Sequence, residues 1–248
     1  MNGVEDRWKK KYEVLGIIPA RCNSKRVINK NIRKLNGKPL IAYTIEAALK
    51  AKSLTRVIVS TDSEEIADLS KSLGAEVPFL RPCELAQDST PMLAVLQHAV
   101  ESLEQKENYK IDIIMILQPT SPLRKSCHID EAVRKLIDTD ADSVVSLCEV
   151  EHSPYWMKKI KGDKVFDFIE GSEKYTRKQD LPKVHRLNGA IYVTRYKALV
   201  EENRLLGDNT RAIIMNQEDS IDIDTELDFK LAELVLKERH ICGKNKNW

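Results

Sequence analysis

IDIIMILQP, residues 111–119, is apolar at every position from Ile113 to Leu117. A strand with one wet face alternates apolar and polar residues, whereas an unbroken apolar run is buried on both faces, as at the centre of a parallel sheet covered by helices. The run ends at Gln118-Pro119, so polar groups stand at once at its carboxyl end. This predicts an α/β fold, and the neighbouring segments agree. Upstream, Thr90-Pro91 opens a helix with Met92, Leu96, Ala99 and Leu103 on one stripe. Downstream, Ser126–Asp138 reads as a helix and DSVVSLCEV (142–150) as a further strand. Earlier, Val14–Ala20 and RVIVST (56–61) read as strands and Pro39–Ala51 as a helix. Asp62-Ser-Glu-Glu65 reads as a cap that opens a helix through Ile66, Leu69 and Leu73, stopping at Gly74. Alternating strands and helices argue for a doubly wound, mostly parallel sheet.

The alternation loosens over residues 151–184, which are charged and aromatic and read as an inserted β-arm or loop subdomain. Tyr155, Trp156, Phe166 and Phe168 would be exposed there on a monomer, a pattern that marks an interface. The sheet resumes at NGAIYVT (188–194), and TELDFKLAELVLKER (225–239) reads as the closing helix. One domain over 14–239, carrying the arm 151–184, accounts for the chain. Residues 1–13 and the tail CGKNKNW (242–248) read as loosely ordered ends.

Composition narrows the function. The chain has 248 residues, 42% hydrophobic and 31% charged, with a net charge of +2. That charge gives no argument for nucleic acid as a partner. No apolar run reaches the roughly 18 residues that span a bilayer, and the N-terminus has no apolar segment of a secretory signal. The cysteines number five, with no C-x-x-C pair, so reduced thiols in a cytoplasm are expected rather than a disulfide framework.

Ligands of open α/β sheets sit beyond the carboxyl ends of the strands. The polar residues at those ends are Arg21, Asn23, Lys25, Lys30 and Asn31; Thr61 and Asp62; Arg81, Asp88 and Ser89; and Gln118, Thr120 and Ser121. This basic and hydroxylated set suits a polyphosphate and a sugar. Neither G-x-G-x-x-G nor G-x-x-x-x-G-K-[ST] is present, which disfavours a dinucleotide dehydrogenase or a Walker-type ATPase. There is no G-x-S-x-G either, and His98 and His128 read as packing or surface residues of helices.

In SIDIDTELDF (220–229), residues two apart share a face of an extended chain. Asp222 and Asp224 would point one way and Ile223 into the core. Two adjacent carboxylates suit a hard cation such as Mg²⁺ together with substrate phosphates. The alternative is a helix start at Asp224 or Thr225 with Asp228 in a capping box.

IIPAR (17–21), GKPLIAYTIEAAL (37–49), VSTDSEEIA (59–67), QPTSPLR (118–124), QDLPK (179–183), NGAIYV (188–193) and IDIDTELDF (221–229), taken together, resemble the acylneuraminate cytidylyltransferases. These enzymes make CMP-activated sialic acids and related nonulosonates. The resemblance runs from about Val14 to Arg239. It implies a Rossmann-like nucleotidyltransferase fold, a homodimer built through the arm, and Mg²⁺-dependent transfer of CMP from CTP to a nine-carbon 2-keto sugar acid. It places Arg21 and Lys25 on the triphosphate, Lys30 and Asn31 on the nucleotide, and Arg81 and Ser89 near cytosine and ribose. Gln118 would meet the acceptor sugar, and Arg177 would reach a site from the arm. Arg177 or Arg186 would suit the acceptor carboxylate, and Asn188 would be substrate-side. Asp222 and Asp224 would hold the metal. Two departures stand out: Cys22-Asn23 replaces the usual Gly-Gly, and Ile28 a common proline. The rival readings are a cytidylyltransferase for another keto-deoxy sugar acid and a nucleotide-binding relative without turnover.

Overall fold

A computed structural model describes residues 12–22 and 24–244. Strand β1 (Val14–Pro19) leads into a long loop and a small hairpin, β2 (Lys34–Leu35) and β3 (Lys38–Pro39), turned by Asn36-Gly37. Both turn residues have positive φ, +48° and +82°, as a two-residue hairpin turn of this kind requires. There follow α1 (Leu40–Lys50), β4 (Arg56–Ser60), α2 (Glu64–Ser72), α3 (Met92–Glu107), β5 (Ile113–Ile116), α4 (Ser126–Asp138) and β6 (Ser143–Glu149). The arm carries an exposed hairpin, β7 (Lys158–Lys161) and β8 (Lys164–Asp167). The chain then returns through β9 (His185–Arg195), β10 (Thr210–Ile214) and α5 (Glu226–Lys244).

The main sheet has the order β10-β6-β9-β5-β1-β4. β5 pairs in parallel with β1 but antiparallel with β9, and β9 is also antiparallel to β6. The other five strands point the same way, so the sheet is mostly parallel as expected, with one strand reversed. The unbroken apolar run of β5 reports burial on both faces but not the direction of its neighbours. Ile113, Met115 and Leu117 pack on one side with α1, α2 and α4. Ile114 and Ile116 pack on the other with Leu96, Ala99 and Leu103 of α3. A third cluster, with Val27, Leu35, Leu40, Ile223 and Phe229, seats α5 beside the long loop.

Three expectations are corrected. The cap of α2 is Ser63, whose hydroxyl accepts from Ile66 N at 3.3 Å; Asp62 is used elsewhere. Tyr12 and Glu13 are not loose: Tyr12 packs against the core, and Glu13 N donates to Asp112 Oδ2 at 2.8 Å. The closing helix runs on to Lys244, into the tail. The remaining expected loose ends lie outside the described residues. No helix of the described residues is long and apolar enough to cross a membrane.

The arm leaves the sheet between Glu149 and His185, and Val150 N donates to Val184 O at 3.2 Å across its neck. Trp156, Phe166 and Phe168 are exposed on it, as expected, and so are Ile160 and Val165. Tyr155 is half-buried instead, edge-on to Tyr175 with centroids 4.9 Å apart.

Candidate active site

The carboxyl ends of β1 and β5 open into a cleft of about 530 Å³. Its lining includes four cations, Arg21, Lys25, Arg26 and Lys30, against two carboxylates, Asp88 and Asp224. A chain with little net charge thus concentrates positive charge where a polyphosphate would lie.

The long loop keeps its shape with Cys22 where the resemblance leads one to expect glycine. Cys22 N donates to Asp62 Oδ1 at 3.0 Å, and the Cys22 thiol donates to Asp62 Oδ2 at 2.9 Å. Asn31 Nδ2 donates to Arg21 O at 2.9 Å. The one described non-glycine residue of this loop with positive φ before the hairpin is Asn29, at +52°. Asparagine tolerates that region better than most residues, and Asn29 O accepts from the backbone of Ile32 and Arg33. Asn23 lies outside the described residues.

Arg21 NH2 stands 2.5 Å from Asp88 Oδ1, and Lys25 pairs with the other oxygen. Hydrogen bonds from Lys25 and Arg21 hold the Asp88 carboxyl below its ordinary range. Asp88 therefore bridges the two cations that the resemblance assigns to the triphosphate.

Asp222 and Asp224 flank Ile223, which is fully buried in the third cluster, as expected. That burial is worth roughly 1.5–3 kcal/mol and anchors the segment. Its backbone is pinned as well: Ile223 N donates to Thr120 O at 2.8 Å, and Lys30 Nζ donates to Ile223 O at 2.6 Å. Asp224 lines the cleft, with Lys30 at 3.5 Å and Arg26 at 3.6 Å. The helix cap is Thr225 with Asp228: Thr225 N donates to Asp228 Oδ2 at 2.7 Å, and Asp228 N returns to Thr225 Oγ1 at 3.3 Å. Capping thus leaves the Asp224 carboxylate free for the cleft. Burial pushes the Asp222 carboxyl up, helped by the charge of Asp224 and opposed by Thr120 and Lys30. Its Oδ1 is buried with no hydrogen-bond partner. An orphaned carboxylate oxygen beside a second carboxylate fits a hard divalent cation. Among the described residues no group of three or more acidic, His or Cys side chains converges on one point, so substrate and water would complete the coordination.

The other expected site residues are placed as follows. Gln118 lines the cleft at the end of β5, and Asn31 lines it while its amide braces the loop. Arg81 is buried, its NH2 paired with Asp62 Oδ1 at 3.8 Å, and neither Nε nor NH2 makes a hydrogen bond; burial lowers its pKa, and Asp62 opposes this. Ser89 is exposed outside the cleft lining. Asn188 is 1% exposed and bonds Ser146 Oγ at 2.6 Å and Ser220 Oγ at 2.9 Å, so its side chain braces the site from behind. Arg177 pairs with Asp180 within the arm at 2.8 Å, and Arg186 with Glu151 at 3.5 Å. Neither arginine lines the cleft of its own chain.

Sequence reasoning missed Gly189 and Arg124. Gly189 has φ +73°, and a Cβ there would stand 3.1 Å from Gln118 Oε1 and 3.2 Å from Asp222 Oδ2. It lets the Gln118 and Asp222 side chains close over the backbone. Arg124 is buried and donates from NH1 to Gln118 O at 3.1 Å and Ala190 O at 2.8 Å, joining β5 to β9 beneath the cleft. Burial pushes its guanidinium down to about 9. The N-G-A at the resumption of the sheet and an arginine eight residues past the end of β5 were the only signals available.

A family profile described as Cytidylyltransferase matches residues 15–237. The CMP-N,N'-diacetyllegionaminic acid synthase of Legionella pneumophila is 36% identical over 90% of this chain and 96% of its own. The pseudaminic acid cytidylyltransferase of Campylobacter jejuni is 34% identical over 91% of this chain and 97% of its own. A solved CMP:2-keto-3-deoxy-manno-octonic acid synthetase, complexed with CTP, superposes with a TM-score of 0.69 at 17% identity, over 92% of this chain and 99% of that one; at that identity the likeness concerns the fold. The profile spans nearly the whole domain, and with these relatives it shows that the chain belongs to the cytidylyltransferase family.

Proposed function

We propose that this cytidylyltransferase transfers CMP from CTP to a nonulosonic acid of the sialic, legionaminic or pseudaminic type, releasing pyrophosphate. The observation that carries the reading is the pairing, in one cleft, of a four-cation phosphate surface with the Asp224 carboxylate, behind which the buried Asp222 carboxyl lies within its electrostatic reach. The match in length and identity to relatives named for nonulosonic acids supports the acceptor class.

Arg21 and Lys25 bind the triphosphate, exchanging Asp88 for phosphate oxygens, and stabilise the pyrophosphate as its charge grows. Lys30 and Asn31 hold the nucleotide side of the loop, and Gln118 orients the acceptor. The anomeric hydroxyl oxygen of the sugar acid bonds to the α-phosphorus. The bond from that phosphorus to the oxygen bridging to the β-phosphate breaks, and its electron pair leaves with pyrophosphate. The hydroxyl proton is released. Asp222 and Asp224 are the residues that would hold Mg²⁺, which when bound neutralises phosphate charge and acidifies the acceptor hydroxyl. Everything else is positioning, which supplies most of the acceleration in such transfers.

The exposed apolar face of the arm supports a homodimer in which one subunit's arm brings Arg177, and with it a counter-charge for the acceptor carboxylate, to the other's cleft. A cytoplasmic setting suits the use of CTP and cysteines that, among the described residues, form no disulfide. The experiment is a pyrophosphate-release assay with CTP and a panel of nonulosonic acids beside an eight-carbon keto-deoxy acid. Turnover with a nine-carbon acid at least about tenfold above the eight-carbon one is expected, a difference of about 1.4 kcal/mol in transition-state binding. Preference for the eight-carbon acid would replace the acceptor, and no turnover with any would leave a nucleotide-binding protein.

A further inference from the structure

Asp219 lies outside the cleft lining, yet its side chain is only 2% exposed. Lys125 Nζ donates to its Oδ2 at 2.9 Å and Arg239 NH2 to its Oδ1 at 2.7 Å, with His128 Nε2 3.7 Å away. These partners come from the start of α4 and from α5. A buried carboxylate held by two cations is costly to desolvate and is better retained where it fixes a geometry.

The geometry here is specific. Two stretches outside the sheet and the α-helices run together beside the cleft. One is 118–125, with Gln118 and Thr120. The other is 219–225, with Asp222 and Asp224. They are joined at Ile223 N to Thr120 O, 2.8 Å, and again at Lys125 to Asp219, 2.9 Å. Asp222 falls between these two ties. Arg239 adds a second hold on Asp219 from α5, whose capped start follows Asp224 directly. Ser220, next to Asp219, takes a further bond from Asn188.

We infer that Asp219 is a positioning residue: through Lys125 and Arg239 it holds the 219–225 segment against the 118–125 loop, and so sets the Asp222 and Asp224 carboxylates for a divalent cation. This rests on the metal reading of the proposed function. Outer partners of metal-binding groups typically change metal affinity or activity by about 10–100-fold when removed, and that is the scale expected.

The test uses Mn²⁺ as probe on the full-length protein. Binding is read from the water-proton relaxation enhancement of enzyme-bound Mn²⁺ with CTP present. Asp219→Asn, nearly isosteric, should weaken that binding by about tenfold or more, while CTP affinity in EDTA stays within about twofold, since the phosphate cations are untouched. Arg239→Gln should weaken Mn²⁺ binding in the same direction and to a lesser degree, and Arg239→Lys should recover most of it. If Asp219→Asn does not fold, Arg239→Gln, whose side chain is partly exposed, decides. Wild-type Mn²⁺ affinity in these variants, with the wild type clearly binding, overturns the positioning role alone. A wild type that binds no Mn²⁺ overturns the metal reading and this inference with it.

Discussion

Gly189→Ala separates geometry from stability. The backbone at Gly189 has φ +73°, where a Cβ costs about 1–2 kcal/mol. For a domain of this size each kcal/mol moves Tm by roughly 2–4 °C, so a fall of about 2–8 °C is expected. The added Cβ also meets Gln118 Oε1 at 3.1 Å and Asp222 Oδ2 at 3.2 Å, both closer than ordinary contact. Each is the far end of a side chain, so each will shift by a few tenths of an ångström rather than unfold the protein. A misplacement of about 1 Å can cost about 100-fold in rate, and a shift of this smaller size should cost on the order of tenfold in kcat. Thermal unfolding and steady-state pyrophosphate release measure the two effects on one preparation. An alanine variant with wild-type Tm and wild-type kcat would refute both the strained backbone and the closeness of Gln118 and Asp222 to it.

Other consequences can be checked in the same way. Asp88→Asn removes the carboxylate that bridges Arg21 and Lys25; inhibition by pyrophosphate should tighten several-fold at low salt and less at high salt, and an unchanged inhibition constant would remove Asp88 from the phosphate surface. His98 packs edge-on to Phe79 with its Nδ1 buried and unpartnered, and burial lowers its pKa. Below the unfolded value of about 6.5 the unfolded chain binds the proton more readily, so stability is full above that pH and is lost as pH falls through the lower folded value. His98→Leu should flatten this acid limb of Tm against pH, and an unaltered limb would assign it to other groups. Arg177→Ala and Asp224→Asn chains should each be nearly inactive alone, and mixing them with subunit exchange should restore about a quarter of normal activity, because about half the dimers are mixed and each has one intact site. Exchange without recovery would place Arg177 on its own subunit's site or on neither.

Much of this was legible in the sequence because it is local. The α4 bounds, the β1 and β5 runs and the start of α3 at Thr90-Pro91 follow from periodicity and end signals. Ile223 pointing inward between two aspartates follows from the period of an extended chain. What was not legible depends on distant partners. The reversal of β9 leaves the apolar pattern of a central strand unchanged, since burial on both faces looks the same for either direction. β10 was missed because TRAII is short and sits at the sheet edge, partly exposed. Asp62 reads as a cap until Cys22, 40 residues away, is seen to use its carboxylate. Asn188 is substrate-side by the resemblance, and nothing in its local sequence shows that its amide also bonds Ser146 and Ser220, 42 and 32 residues away. Asp219 is 94 residues from Lys125, and no spacing rule connects them.

The most direct test of the central claim is ³¹P NMR of a reaction containing the protein, CTP, Mg²⁺ and the best nonulosonic acid of the panel, with Asp224→Asn alongside. The account predicts that the triphosphate signals give way to equal amounts of pyrophosphate and one phosphodiester signal of a CMP-sugar, and that the variant is slower by about 100-fold or more. Release of inorganic phosphate or free CMP without a phosphodiester, or a variant as fast as the wild type, would contradict it.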